Sequence, residues 1–197
     1  MSSFSIFAQG NYQLTDKLKV TAGVRQNWDE KNQFQNIAIF GQDPCGGTAR
    51  AGCKWDDMTW KLGADYEISD SSMVYATVSK GFKAGGMNLS ACFATYDPEN
   101  VMAYEIGSKN TFLDGALMLN VSAFYYDYTD LQVSVYTATT VVTENAAAAK
   151  VYGAEFEGRL NPIENLSLSA NLSLLHTEYQ DYYSVNPLEQ ATGARPE

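Results

Sequence analysis

Histidine is almost absent from this chain: 197 residues contain one, His176, together with three cysteines, Cys45, Cys53 and Cys92. A metal centre draws several such ligands to one place. With no second His or Cys near it in sequence, His176 reads as an interfacial or loop residue rather than a ligand or base. Basic residues are also scarce, 13 against 23 acidic, for a net charge of -10. That balance argues against a nucleic-acid partner, which needs a basic footprint. No run of about 18 apolar residues exists, so no transmembrane helix is expected. The opening MSSFSIFAQG has no basic start and too short an apolar run for a signal peptide. No segment combines a nucleophile, a base and an orienting group, so an enzyme is the least supported class. KGFKAGG, at 80 to 86, is glycine-rich but lacks the spacing of a phosphate-binding loop, and no helical pattern follows it.

What the chain does have is alternation. From Leu117 to Tyr125, Leu117, Leu119, Val121, Ala123 and Tyr125 fall on one face, with Asn120 and Ser122 on the other. A period of two is a strand. Ahead of it, Met102, Tyr104 and Ile106 oppose Glu105, Gly107 and Lys109, and Leu113-Asp114-Gly115 supplies the turn of a hairpin. The same pattern recurs along the chain: Phe4, Ile6 and Ala8; Leu18, Val20, Ala22 and Val24; Met58, Trp60, Leu62, Ala64 and Tyr66; Val74, Ala76 and Val78; Tyr152, Ala154, Phe156 and Leu160; Leu166, Leu168, Ala170, Leu172 and Leu174. The expectation is all-β: an antiparallel up-and-down meander of about eight long strands in four hairpins. Residues 29–56 and 80–98 read as long connections, and 137–149 as a low-complexity Thr/Ala segment.

Two regularities separate this pattern from a soluble sandwich. Short turns and long connections alternate strictly, which puts every short turn at one end of the sheet, as in transmembrane β-barrels. The non-apolar face carries charge of both signs: Lys19, Arg25, Lys61, Asp65, Glu67, Glu105, Lys109, Glu155, Glu157 and Arg159. In a wide barrel that face lines the lumen, where opposite charges pair across strands. Arg159 beside Glu155 and Glu157 favours an ion network over a carboxylate pair at work in catalysis. Trp28 and Tyr125 at the loop ends, and Tyr12 and Tyr66 at the turn ends, are candidates for two aromatic girdles. A mean hydropathy of -0.26 does not argue against a membrane, since only every second barrel residue meets lipid. Cys45 and Cys53, in DPCGGTARAGC, read as a small disulfide loop formed in an oxidising compartment; Cys92 is left over as a competitor for either. Gly81, Gly85 and Gly86 are expected to supply positive φ where a strand leaves the sheet.

The succession YEIGSKNTFLDG, LNVSAFYYDYTDLQV and VYGAEFEGRLNP resembles the barrel of TonB-dependent outer-membrane receptors, and SKGFKAGGMN is similar to a segment common in that family. The resemblance marks Gly81, Phe82, Lys83, Gly85 and Gly86 as a family-motif loop. It implies uptake of a scarce nutrient, such as an iron-siderophore complex, across a Gram-negative outer membrane, with lipid and the TonB complex as partners and no cofactor. Family members also have an N-terminal plug, which contacts TonB, and roughly 22 strands. Residues 1–197 are accordingly expected to be part of a barrel domain, open or imperfectly closed, with the plug and the last strands outside it and the native N-terminus upstream. Two alternatives stand: a small eight-stranded structural or adhesive outer-membrane barrel, and a secreted soluble β-sandwich that binds carbohydrate.

Overall fold

The computed structural model describes residues 1–35, 49–88, 94–136 and 141–180. They form ten strands: β1 (Ser2–Gln13), β2 (Leu18–Gln35), β3 (Ala49–Ser69), β4 (Ser72–Lys83), β5 (Gly86–Asn88), β6 (Ala94–Tyr96), β7 (Glu99–Phe112), β8 (Leu117–Tyr136), β9 (Val141–Ile163) and β10 (Leu166–Tyr179). Eight of them make one sheet in the order β1-β2-β3-β4-β7-β8-β9-β10, every neighbour antiparallel. This is the expected meander. The sheet does not close on itself: β1 and β10 each have one partner. No helix among the described residues is long and apolar enough to cross a membrane.

The four short turns fall at one end of the sheet, and each has a local cause. Between β1 and β2, the Thr15 hydroxyl accepts from the Leu18 amide at 3.1 Å. Between β7 and β8, Leu113, Asp114 and Gly115 all take positive φ, 55°, 53° and 93°, closing a turn of 3-10 form. Aspartate and glycine reach that region at least cost. The β3–β4 and β9–β10 turns need only two residues each, 70–71 and 164–165.

At the other end the strands run further than their alternation suggested. β2 and β3 stay paired up to Gln35 and Ala49, within the stretch expected to be a long connection. β9 begins at Val141, inside the Thr/Ala segment, because pairing with β8 supplies a ladder that composition alone does not announce. With 20 residues in β8 and 23 in β9, these strands are about twice the 9–11 residues a tilted strand needs to cross a bilayer. Residues 80–98 are not one loop either: β4 continues to Lys83, β7 starts at Glu99, and β5 pairs with β6 between them.

The sheet has almost no core. Among the described residues no large side chain is fully buried, and the buried apolar ones are Met87, Val142, Ala147 and Ala149, all at the loop end. A soluble sandwich of this size would bury a second sheet face. Here one face is left open along its whole length.

Candidate functional site

That open face is the apolar one. Ile106 is 62% exposed, Leu172 55% and Phe4 62%, a continuous band far larger than the patches soluble monomers present to water. Its loop-end boundary is marked by rings. Tyr104, Tyr125, Tyr152 and His176 occupy one register row across β7–β10. Their centroids follow one another at 6.3, 6.3 and 4.9 Å. The next row out holds Asp127, Lys150 and Glu178 on the same face. Apolar side chains therefore give way to aromatics and then to charge within four residues of strand, the profile of a bilayer interface. On β1 and β2 the corresponding pair is Phe4 and Trp28, stacked at 5.6 Å. It lies closer to the loop end than the tyrosine row, whose register passes through Val78, Leu62 and Ala22. Tilted strands produce this stagger, since a membrane plane cuts them obliquely.

The opposite face is polar. Lys19 and Asp65 are cross-strand partners and form an ion pair at 2.7 Å. Arg25 donates from Nε to Asn27 Oδ1 at 2.7 Å. The Tyr75 hydroxyl donates to Glu105 Oε1 at 2.6 Å, while Lys109 Nζ sits 5.6 Å from the Tyr75 ring centroid. Asn120 donates to Glu157 at 2.9 Å. Tyr75, Glu105, Lys109, Asn120 and Glu157 line a groove of about 560 Å³ with Ser122 and Glu155. Lys61 and Glu67 lie on the same face by alternation. Among the described residues the ion network expected around Arg159 does not form: Arg159 Nε donates instead to Ser167 Oγ on the neighbouring strand, at 3.3 Å. The aromatic run 124–128 divides between the faces, with Phe124 and Tyr126 stacked at 5.0 Å on the polar side and Tyr125 on the apolar one.

At the loop end the β5–β6 hairpin folds onto the polar face. Lys31 of β2 donates from Nζ to the Gly85 carbonyl at 2.5 Å and lies 5.7 Å from the Trp55 ring of β3. From the far side, Asn88 makes a two-way amide pair with the backbone of Thr143, at 2.8 and 2.7 Å. Gly85 and Gly86 belong to the family-motif loop, and their role differs from the one expected. Neither takes positive φ, and Gly115 is the one described glycine that does. A Cβ at Gly85 would strike the Tyr96 carbonyl and the Trp55 ring, and one at Gly86 the Tyr96 ring and hydroxyl. Close approach, not turning, requires glycine here. Lys83 pairs with Glu99 at 3.6 Å, at the strand ends where the hairpin departs. Gly81 and Phe82 remain within β4, opposite Val101 and Asn100, and Gly81 does not take positive φ either.

Beyond Trp28, Glu30 accepts from Asn32 at 3.1 Å and pairs with Lys54 at 3.6 Å; the Asn32 hydrogen bond first, and the Lys54 charge next, hold its carboxyl below the usual range. Asp57 pairs with Lys80 at 2.6 Å. The expected disulfide partner Cys45 lies outside the described residues, as does Cys92. Cys53 is a free thiol placed in β3 opposite Lys31, not in a loop. No group of three or more His, Cys, Asp and Glu able to hold a metal is found among the described residues. Sequence reasoning missed Lys31, Trp55, Gln132 and Asn145, of which Lys31, Trp55 and Asn145 sit in strand extensions read as connections. An asparagine inside the Ala-rich tract was the available signal.

Comparison with known proteins places this geometry. The chain matches the model of the TonB dependent receptor-like β-barrel family over residues 1–196. It is 23% identical over 181 residues to the pesticin receptor of Yersinia pestis, covering 90% of this chain and 26% of that protein. With the rhizobactin receptor of Rhizobium meliloti it shares 27% over 181 residues, 79% of this chain and 24% of that one. Among solved structures, the ferric yersiniabactin uptake receptor FyuA from Yersinia pestis superposes with a TM-score of 0.77 at 21% identity, over 90% of this chain and 27% of that one. The siderophore receptor PiuA from Acinetobacter baumannii gives 0.74 at 21%, over 91% and 26%. This chain spans about a quarter of the length of these relatives. Its eight-stranded meander, with one apolar and one polar face, belongs to the β-barrel of the TonB-dependent receptors.

Proposed function

We propose that this chain supplies eight barrel strands and part of the loop-side rim of a Gram-negative outer-membrane receptor that imports a scarce nutrient, an iron-siderophore complex being the leading class. The observation that carries the reading is the exposed apolar band, ended by the Tyr104–Tyr125–Tyr152–His176 row and a charged row beyond it, in a chain of this family. Lipid covers the band. The polar face, with Glu105, Glu155, Glu157 and Lys109, lines the lumen, and residues 1–197 form part of a larger barrel whose plug and remaining strands close it. Energy comes from the TonB complex through that plug. The names of similar proteins, the ferric yersiniabactin uptake receptor FyuA and the siderophore receptor PiuA, support a siderophore-type ligand.

The test is a strain lacking the gene, starved of iron and supplied with ⁵⁵Fe-loaded catecholate, hydroxamate and phenolate siderophores in turn. Loss of uptake of one class, restored by the intact gene and abolished by a protonophore, is the expected result. Uptake of every class at wild-type rates would overturn the iron reading. A protein that fails to sediment with the outer-membrane fraction would overturn the location.

A further inference from the structure

The β5–β6 hairpin is held from both flanks of the sheet, and two side chains on the β8–β9 flank do most of the holding. In β8 the ladder slips between Tyr128 and Leu131 and again between Leu131 and Gln132. Asp130, inside the first slip, takes φ 54°. Left-handed backbone at a non-glycine residue persists where its surroundings reward it. The two slips compensate, with Tyr128 opposite Ala149 before them and Gln132 opposite Asn145 after them, so Gln132 stays on the polar face with Tyr126 and Tyr128. Its amide nitrogen lies 3.4 Å from the Lys83 carbonyl, 3.2 Å from that of Ala84 and 3.0 Å from that of Asp97. Two hydrogens are thus shared among three carbonyls. These carbonyls belong to both feet of the hairpin.

Asn145 is the register partner of Gln132 on β9. It accepts from the Asp97 amide at 2.6 Å and donates to the Asp97 carbonyl at 2.9 Å and the Asp130 carbonyl at 2.7 Å. One residue therefore grips both a foot of the hairpin and the irregular stretch of β8 next to Gln132. Glu99 completes the arrangement by accepting from the Gln132 backbone amide at 3.0 Å. Lys31 and Trp55 hold the opposite flank. The hairpin thus spans from β2–β3 to β8–β9 over β4 and β7, and its Met87 is 6% exposed, the largest apolar side chain buried in the described structure.

We infer that Gln132 and Asn145 are positioning residues that clamp the β5–β6 hairpin as a fixed bar across the polar face at the loop end, so that a solute entering from that end meets a rigid element instead of a free loop. The path of the solute rests on the uptake reading above; the clamp does not.

The experiment places a cysteine at Met87, with Cys45, Cys53 and Cys92 changed to serine, and follows its reaction with a membrane-impermeant maleimide in the receptor on intact cells. Labelling is expected to be slow in this parent. It is expected to rise at least about tenfold in Gln132→Ala/Asn145→Ala, while the heat-modifiable gel shift that reports an intact barrel is unchanged. Gln132→Glu, equal in size but with no amide hydrogens to donate, should label as fast as Gln132→Ala, a result that loss of packing volume would not give. Fast labelling of the parent, equal rates in all variants, or acceleration seen only with loss of the gel shift would each overturn the clamp. In the same cells, uptake of the ⁵⁵Fe-siderophore that rescues the deletion strain should show a half-saturation concentration changed at least about threefold at equal receptor abundance; an unchanged value overturns the bar as part of the path. If no siderophore is imported, the uptake reading fails and the labelling rates still decide the clamp.

Discussion

The turn-side half of this sheet and its loop-side half are stable for different reasons. Below the Tyr104–Tyr125–Tyr152–His176 row, strands alternate apolar and polar side chains and, among the described residues, bury no large side chain between layers; on the proposed reading, lipid takes the place of a core. Above it, the same strands carry charge on both faces, and a small protein core appears around Met87, Val142, Ala147 and Ala149, tied by amide hydrogen bonds to backbone. The first region depends on its solvent and the second on specific partners. Substitutions should therefore fail differently in the two halves: by polarity in the first, by shape and hydrogen-bond geometry in the second.

The largest effect is expected from a cation in the middle of the apolar band. Val121→Arg should lower the stability of the protein folded in lipid vesicles by about 2–4 kcal/mol, read from urea titration. Asn120→Lys, one residue away but facing Glu157, should cost less than about 1 kcal/mol. Equal costs would remove the distinction between the faces. Next come the glycines of the hairpin. Gly85→Ala should cost about 1–3 kcal/mol by overpacking against Tyr96 and Trp55. Gly10→Ala, with nothing within 4 Å of the added carbon, should stay within about 0.5 kcal/mol. Similar values at both sites would mean that the hairpin does not press on the sheet.

A smaller loss, about 0.5–1.5 kcal/mol, is expected for Tyr152→Ala, whose ring stands between those of Tyr125 and His176. Tryptophan at the same position should retain most of the stability, because an interface needs an amphipathic ring and not tyrosine in particular. The smallest effect belongs to Lys19→Met. Its ion pair with Asp65 lies at a half-exposed position, where screening leaves little net gain, so the urea midpoint should not move measurably at a physiological ionic strength of about 0.15 M. A clear shift there would show that the polar face is far less hydrated than its exposure indicates.

How much of this was legible varies along each strand. Leu166 to Leu174 reads as a strand from sequence because each second residue is leucine or alanine, and pleating places them on one face. The same logic located the turn at Leu113-Asp114-Gly115 and placed Tyr125 at the loop end. Val141 to Ala149 did not read as a strand, since alanine and threonine runs carry little contrast between faces, and their conformation comes from pairing with Tyr128 to Tyr136. Gly85 and Gly86 were visible as unusual, yet their reason was not. Positive φ is a local property that sequence reasoning can guess, whereas contact with Trp55 and Tyr96 is set by where distant strands end.

By itself, then, the amino-acid order determined the period-two strands, the end of the sheet that carries the short turns and the two chemically distinct faces, all of which derive from neighbours in sequence. The family was marked instead by the resemblance of whole segments. Only the tertiary structure decided the register rows, the stagger of the aromatic boundary and the clamp on the hairpin. The contacts of Gln132 and Asn145 with the hairpin's feet join residues 35 to 49 positions apart. Their geometry exists only after β7, β8 and β9 have paired and the feet of the β5–β6 hairpin have come to lie over them.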